Sequence, residues 1–273
     1  MVQTTSNTNT ISKKLSIQVS LNGLSFCTLD ANQKIKALEQ DNFGIQLSPE
    51  QVLDKIKYTF DNNPALQEDF EVVEVIHQND LYSLVPKALF DKNSLKEYLM
   101  HNIRILENDF LAYDEMEQHE IVTVYVPYTN INNFFFDTFG SFTYKHACTV
   151  LTSTLLTQEK HSYQTTVFAN MNEKSFDLIV IRKGKLLLAN TFNHETKEDF
   201  LYYLLFATEQ LQLNPEEFKL VFLGDILATS EYVNITHKYI RNMSFGNHSK
   251  SEQLTSTIKP IEPHQHFVLL SHF

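Results

Sequence analysis

The chain has 273 residues, 42% of them hydrophobic and 12% aromatic, carries a formal net charge of −11 and holds only six glycines. At the usual share of about 7%, roughly 19 glycines would be expected, and phosphate-cradling loops need them because the backbone must approach the anion closely and adopt positive φ. None of GxGxxG, GxxxxGKS/T or GxSxG occurs, which excludes the dinucleotide, P-loop and nucleophile-elbow signatures.

This length permits one large domain or two lobes. Residues 1–157 hold 11 Lys and Arg against 20 Asp and Glu, and residues 158–273 hold 11 against 13, so the first half carries most of the negative charge. A nucleic-acid partner would require a basic stripe. The one basic cluster, Arg182-Lys183-Gly184-Lys185, falls where a strand–turn–strand needs polar tip residues, and direct nucleic-acid binding is not expected. The longest apolar run, Phe200 to Ala207, is eight residues, far short of the roughly 18–20 of a membrane span. Met1 to Lys14 is polar with no secretory apolar core. Cys27 and Cys148 lie in apolar, strand-like segments and read as buried reduced thiols. A cytoplasmic protein is expected, and the Asn-x-Ser/Thr matches at Asn234, Asn242 and Asn247 then carry no meaning.

The start, residues 1–13, reads as disordered. Leu15 to Asp30 reads as a hairpin about Asn22-Gly23, because apolar alternation flanks a strong turn dipeptide. Lys34 to Leu38 adds a third strand. Ser48-Pro49-Glu50-Gln51 supplies an N-cap serine, a first-turn proline and a capping-box glutamine. Val52, Leu53, Ile56 and Phe60 line one face of the helix that follows, and Asn62-Asn63-Pro64 stops it. Val72 to Ile76 is a short strand. Ser94-x-x-Glu97 opens a helix with Leu95, Tyr98, Leu99 and Leu106 inward. Ile121 to Val126 is a strand ended by Pro127. Ile131, Phe134 and Phe135 mark a helix closed by Gly140. Phe142 to Cys148 is read as a strand and Thr149 to Leu156 as a helix.

The second half repeats this order. Thr165 to Ala169 is a strand, and Phe176 to Ile181 and Leu186 to Phe192 form a hairpin about Lys183-Gly184. Thr196-x-x-Asp199 is a capping box before a helix with Phe200, Leu201, Leu204, Leu205, Thr208 and Leu211 inward, ended by Asn214-Pro215. Leu220 to Leu223 is a buried strand leading into Gly224-Asp225. A helix bearing Tyr232, Ile235, Tyr239 and Ile240 follows, then a last strand at His266 to Leu270. Three meandering strands, helix, strand and helix thus occur twice. That pattern predicts an α/β protein of two lobes, residues 14–157 and 158–273, with mixed sheets flanked by helices. The cleft between them is the default ligand site.

This duplicated order resembles the ribonuclease-H-like lobes of the actin-like ATPase fold. Glu120-Ile-Val-Thr-Val-Tyr-Val126, the Phe-rich helix and Phe142-Thr-Tyr-Lys-His-Ala-Cys-Thr-Val150 resemble a crossover in pilus-assembly and cell-division actin homologues. Leu15-Ser-Ile-Gln-Val-Ser-Leu-Asn-Gly-Leu-Ser-Phe26, Asp80-Leu-Tyr-Ser-Leu-Val-Pro-Lys-Ala-Leu-Phe90 and Ala189-Asn-Thr-Phe192 are similar to a bacterial family, domain of unknown function 3822, with no established activity. The resemblance covers residues 14–273. Actin-like ATPases resemble one another in an Asp-x-Gly at the first strand turn of each lobe, holding metal and phosphates. Here the matching places are Gln18 and Ser20 in lobe one, and Asn170-Met-Asn-Glu-Lys-Ser175 in lobe two. The adenosine-binding glycine pair is reduced to Gly224-Asp225. A glutamine cannot supply the carboxylate that magnesium needs beside phosphate oxygens, so the resemblance implies a fold kept and hydrolysis lost.

Two readings follow. One is a non-catalytic scaffold without cofactor, working through an unknown protein partner. The other binds ATP with magnesium, or a phosphorylated ligand, through Asn22, Gly23, Asn170, Asn172, Lys174, Gly224 and Asp225. A third use, an acidic docking face for a basic partner, is suggested by Asp69, Glu71, Glu74, Asp114, Glu115 and Glu117, read as surface or loop residues. His264-Gln-His266 with Glu262 and His272 would suit a zinc site, but no CxxC or HExxH accompanies them and no metal is expected. His146 and Cys148, two apart on a predicted strand, read as packed neighbours rather than a catalytic pair.

Overall fold

The computed structural model describes residues 13–248, 258 and 260–271; the start that the sequence marks as disordered lies, up to residue 12, outside them. The first five-stranded sheet is ordered β3-β2-β1-β4-β8, from β1 (Lys14–Val19), β2 (Gly23–Leu29), β3 (Ile35–Asn42), β4 (Val72–His77) and β8 (Thr143–His146). The second is ordered β11-β10-β9-β12-β13, from β9 (Thr165–Met171), β10 (Ser175–Arg182), β11 (Lys185–Asn193), β12 (Lys219–Gly224) and β13 (Asn242–Phe245). In both, an antiparallel meander is followed by parallel pairing, β1 with β4 and β9 with β12. The duplication read from the sequence is therefore a duplication of topology.

Local chemistry explains most boundaries. Helix α1 (Pro49–Asn62) starts at a complete capping box between Ser48 and Gln51, and α5 (Lys197–Gln210) at another between Thr196 and Asp199, each satisfying end N–H groups that the helix cannot. Lys183 and Gly184 both take positive φ at the β10–β11 turn, the geometry a two-residue hairpin needs. The first hairpin turns instead over Ser20 to Asn22. Gly23 opens β2, and a Cβ there would meet the Asp41 carbonyl at 2.9 Å.

Several elements differ from the sequence reading. Ile121–Tyr125 (β7) joins β5 (Tyr82–Pro86) and β6 (Ala112–Met116) in a separate antiparallel sheet of order β5-β7-β6, inserted after β4. The helix at Ser94 shrinks to α2 (Leu95–Leu99), has no side-chain cap, and leaves Leu106 exposed. The strand expected through Cys148 stops at His146, and Cys148 belongs to α4 (Ala147–Gln158). The helix after Gly224 is only α6 (Glu231–Thr236), and the expected last strand is helix α7 (Phe267–Ser271).

The layers are set by which strand face is apolar. Leu15, Ile17 and Val19 of β1 face α1 and α3 (Thr129–Phe139) in one core, where Phe60, Phe135 and Phe139 lie ring against ring. Val167, Ala169 and Met171 of β9 join a core with Phe200, Leu204 and Val233 of α5 and α6. The opposite faces share one core. Cys27, Leu29 and Ile76 of the first sheet and Phe168, Ile179 and Leu223 of the second close on Leu151 and Leu155 of α4 and on Phe267 to Leu270 of α7. Eight residues of α4 are buried, as a helix between two sheets must be.

Because that core is common to both sheets, Leu151→Ala is expected to lower stability by about 2–5 kcal/mol within one cooperative transition. Urea unfolding followed by far- and near-ultraviolet dichroism checks it. Two separate transitions would show that the sheets do not depend on one another.

Candidate functional site

The registers place the two halves of a cleft in correspondence. Val19 pairs with Leu24 and His77, while Met171 pairs with Phe176 and Gly224. Gln18 therefore corresponds to Asn170, Ser20 to Asn172, Ser25 to Asp177 and Gln78 to Asp225. All these residues line one interlobe cavity of about 870 Å³. Asn22, Gly23, Asn170, Asn172, Lys174, Gly224 and Asp225, named from the sequence, all border it as well. Asp177 and Gln78 were missed. The signal for Asp177 was a lone carboxylate in the apolar run Phe176 to Ile181.

The polar groups of this cleft largely satisfy one another. Asp177, buried, accepts from Thr191 Oγ1 at 2.7 Å, Asn170 Nδ2 at 3.0 Å and Asn172 Nδ2 at 3.3 Å. Burial holds its carboxyl above the ordinary carboxylate range against those three donors. In lobe one Gln18 Nε2 donates to Gln78 Oε1. Backbone amides are engaged too. Gly224 N–H donates to the His264 carbonyl at 2.9 Å, Asp225 N–H to Met171 at 2.8 Å, Asn172 N–H to Ser175 at 2.9 Å and Ser20 N–H to Gly23 at 3.0 Å. Gly224 has φ +79°, and a Cβ on it would lie 2.3 Å from the Met171 carbonyl oxygen. Its glycine is thus demanded by the approach of β9.

The cleft is acidic. Asp80, Glu173, Asp177, Glu195, Asp199 and Asp225 border it against one lysine, Lys174. At its rim Gln40 Nε2 reaches Asp225 Oδ2 at 3.5 Å, and on the small-sheet side Tyr82 Oη lies 3.1 Å from Thr191 Oγ1, joining the lobes.

A second polar cluster lies behind the cleft, where the small sheet meets α4. His146 is the N-cap of α4: its Nδ1 accepts from Cys148 N–H at 3.1 Å, and its Nε2 donates to Asn79 Oδ1 at 3.2 Å. His77 repeats the arrangement, with Nδ1 accepting from Tyr128 N–H at 3.4 Å and Nε2 donating to Asn132 Oδ1 at 2.8 Å. Both rings are thereby assigned as the neutral Nε2–H tautomer. Burial lowers His77 to about 4, and burial with the neighbouring His77 lowers His146 to about 3. Asp114, read from the sequence as a surface acid, is buried. It accepts from His146 N–H at 2.8 Å, Thr149 Oγ1 at 2.7 Å and Tyr125 Oη at 3.0 Å. It pins β6 to the start of α4. Burial pushes the Cys148 thiol up to about 12, so His146 and Cys148 share a helix cap and form no thiolate pair. His264 is buried with its Nε2 2.8 Å from the Ile226 carbonyl; His272 lies outside the described residues. Among the described residues no three His, Cys, Asp or Glu side chains are grouped as a metal site would require, and no helix is long and apolar enough to cross a membrane.

The chain belongs to the family described as Protein of unknown function (DUF3822), whose model matches residues 2–243. Its fold is that of a Bacteroides thetaiotaomicron protein with actin-like ATPase fold and unknown function. The two share 20% identity and a TM-score of 0.78 over 90% of this chain and 96% of the other. The PilM–PilN type IV pilus biogenesis complex contains a similar chain, at 14% identity and a TM-score of 0.54, over 89% of this chain and 90% of that one. No curated protein matches the sequence. The actin-like ATPase fold expected from the sequence is the fold found.

The two buried imidazoles have a consequence in acid. The unfolded chain takes up protons at the ordinary histidine value of 6.5, whereas the folded rings resist until about 4 and about 3. Stability is full above pH 6.5 and falls as pH drops through that window, by on the order of 3 kcal/mol for His77. Asp114 and Asp177, raised by burial, oppose this near the carboxylate range. Urea midpoints at pH 7 and pH 5 are expected to show the loss, and His77→Gln is expected to flatten it. Separately, Gly224→Ala is expected to cost about 2 kcal/mol or more in the same assay.

Proposed function

We propose that this DUF3822 member is a non-hydrolysing protein of actin-like ATPase fold that acts by binding another protein. The observation that carries the reading is the state of the cleft turns. The N–H groups of Ser20, Asn172, Gly224 and Asp225 already donate to backbone carbonyls. A phosphate seat needs such groups free and pointing at the anion. Carboxamides stand at Gln18 and Asn170, where magnesium would require a carboxylate. The surrounding carboxylates repel phosphate unless a cation intervenes.

Contact with a partner is supported from outside the cleft. Leu89, Met100, Leu106, Phe110 and Tyr113 are all well exposed within the segment carrying the small sheet. Large exposed apolar side chains of this kind offer area that a partner would cover. The surplus of acids in residues 1–157 favours a basic partner. One fold neighbour is described in complex with another protein. The second reading, a nucleotide or phosphorylated ligand in the cleft, draws on the open volume of about 870 Å³ and on Lys174 at its border.

Calorimetry separates the two. Titration of the protein with ATP and with ADP, each with magnesium, is expected to give no binding heat at ligand concentrations up to about 100 μM and no phosphate release. Micromolar binding with turnover would overturn the proposal.

A further inference from the structure

The second sheet ends on a strand whose far side is unpaired. β11 is outermost in its sheet, and among the described residues no strand lies beyond it. Other terminal strands are short or guarded by charge: β8 and β13 have four residues each, and β3 carries Lys36, Glu39 and Asp41. β11 has nine residues, Lys-Leu-Leu-Leu-Ala-Asn-Thr-Phe-Asn, with no proline and one charge, at its first position. Its one irregularity is a register shift against β10 at Leu187, close to the hairpin end; from Leu188 to Asn193 it runs without bulge, proline or charge, the devices by which edge strands avoid pairing. Lobe one holds one of its faces, where Ala189 packs against the cluster of Tyr82, Tyr125 and Cys148. On the other face α5 lies alongside. Tyr203 stacks on Phe192 at 5.1 Å, and next to it Tyr202 and Phe206 stack on each other at 5.8 Å while 60% and 46% exposed.

The two ends of the strand differ in charge. At its beginning and at the hairpin tip before it stand Arg182, Lys183 and Lys185; after it, at the start of α5, stand Glu195, Glu198 and Asp199, with Lys197 among them paired to Glu231. Lys183, Lys185, Glu195 and Glu198 are exposed. A strand with a basic beginning and an acidic end is complementary to itself when laid antiparallel.

We propose that β11 is the contact through which two copies of this chain pair, antiparallel about a two-fold axis at Ala189. The two second-lobe sheets then join into one sheet of twice five strands. On this register Lys185 lies opposite Asn193 and Leu188 opposite Asn190, with the register shift at Leu187 between them, so the strand's one charge does not meet its like. Each basic tip reaches the acidic start of α5 in the other copy, and the Tyr202–Phe206 stacks flank the junction on one face. The contact is isologous and closes on itself, giving a dimer rather than a filament. It concerns the chain alone and does not rest on what the small-sheet surface binds, although Glu195 and Asp199 also border the cleft.

Sedimentation equilibrium of the full chain over about 1–100 μM is expected to show a species of twice 31.7 kDa that dissociates as salt rises. K183E/K185E is expected to weaken association at least tenfold, because acid then faces acid, and E195K/E198K to do so because base faces base. An equimolar mixture of the two variants is expected to dimerise again, a recovery that misfolding of either cannot produce. A monomer throughout the range, a dimer indifferent to the charge reversals, or a mixture that stays monomeric would each overturn the proposal.

Discussion

Burial of α4 between two sheets is the constraint on which the rest of this structure depends. The helix leads from one lobe into the next, and Leu151 and Leu155 meet apolar residues of both sheets. α7 fills the remaining side with Phe267, Val268, Leu269 and Leu270. Removing that apolar surface from water on two sides at once stabilises each lobe only in the presence of the other. The inner strand faces can be apolar only as far as the helices reach. Beyond that they turn polar, and the change from Phe168 to Asn170 along β9 marks where the core ends and the cleft begins.

The N-terminal end of α4 also sets the place of the small sheet. His146 caps the helix, and Asp114 accepts from both His146 and Thr149. Leaving any of these buried groups unpaired would cost about 1–3 kcal/mol, so the small sheet and the helix start hold each other in register. Neutral His77 and His146 complete the network, each with its Nδ1 facing a backbone N–H. A proton on either Nδ1 would set donor against donor. The cleft follows the same logic in carboxamides and hydroxyls: Asn170, Asn172 and Thr191 hold Asp177 as a closed set. A ligand would have to break bonds already made.

What could be read from the sequence was whatever local chemistry decides. The capping boxes at Ser48 and Thr196, the apolar stripe of α1 and the Lys183-Gly184 turn each depend on neighbours within a few residues, and the structure has them. The repeated order of strands and helices could be read because both lobes use those signals alike. The small sheet could not. β6 reads Ala-Tyr-Asp-Glu-Met, and its burial rests on Asp114 finding Tyr125 on the next strand and His146 and Thr149 more than 30 residues away. α7 was misread because His266 to Leu270 is too short to show a period, and its helix follows from packing on α4. The seven cleft residues were named by their places at strand turns, and the fold gathers them. Gln78 needed a strand register that no local pattern carries, whereas Asp177 showed only as a lone carboxylate in the apolar run Phe176 to Ile181.

On the proposed function the strand ends keep the actin-like arrangement while their hydrogen bonds are closed to phosphate. A crystal of the protein soaked with a non-hydrolysable ATP analogue and magnesium is then expected to show no nucleotide between the lobes, with Gly224 N–H still on the His264 carbonyl and Asp225 N–H still on Met171. Phosphates seated on those two amides, with the internal bonds broken, would contradict it.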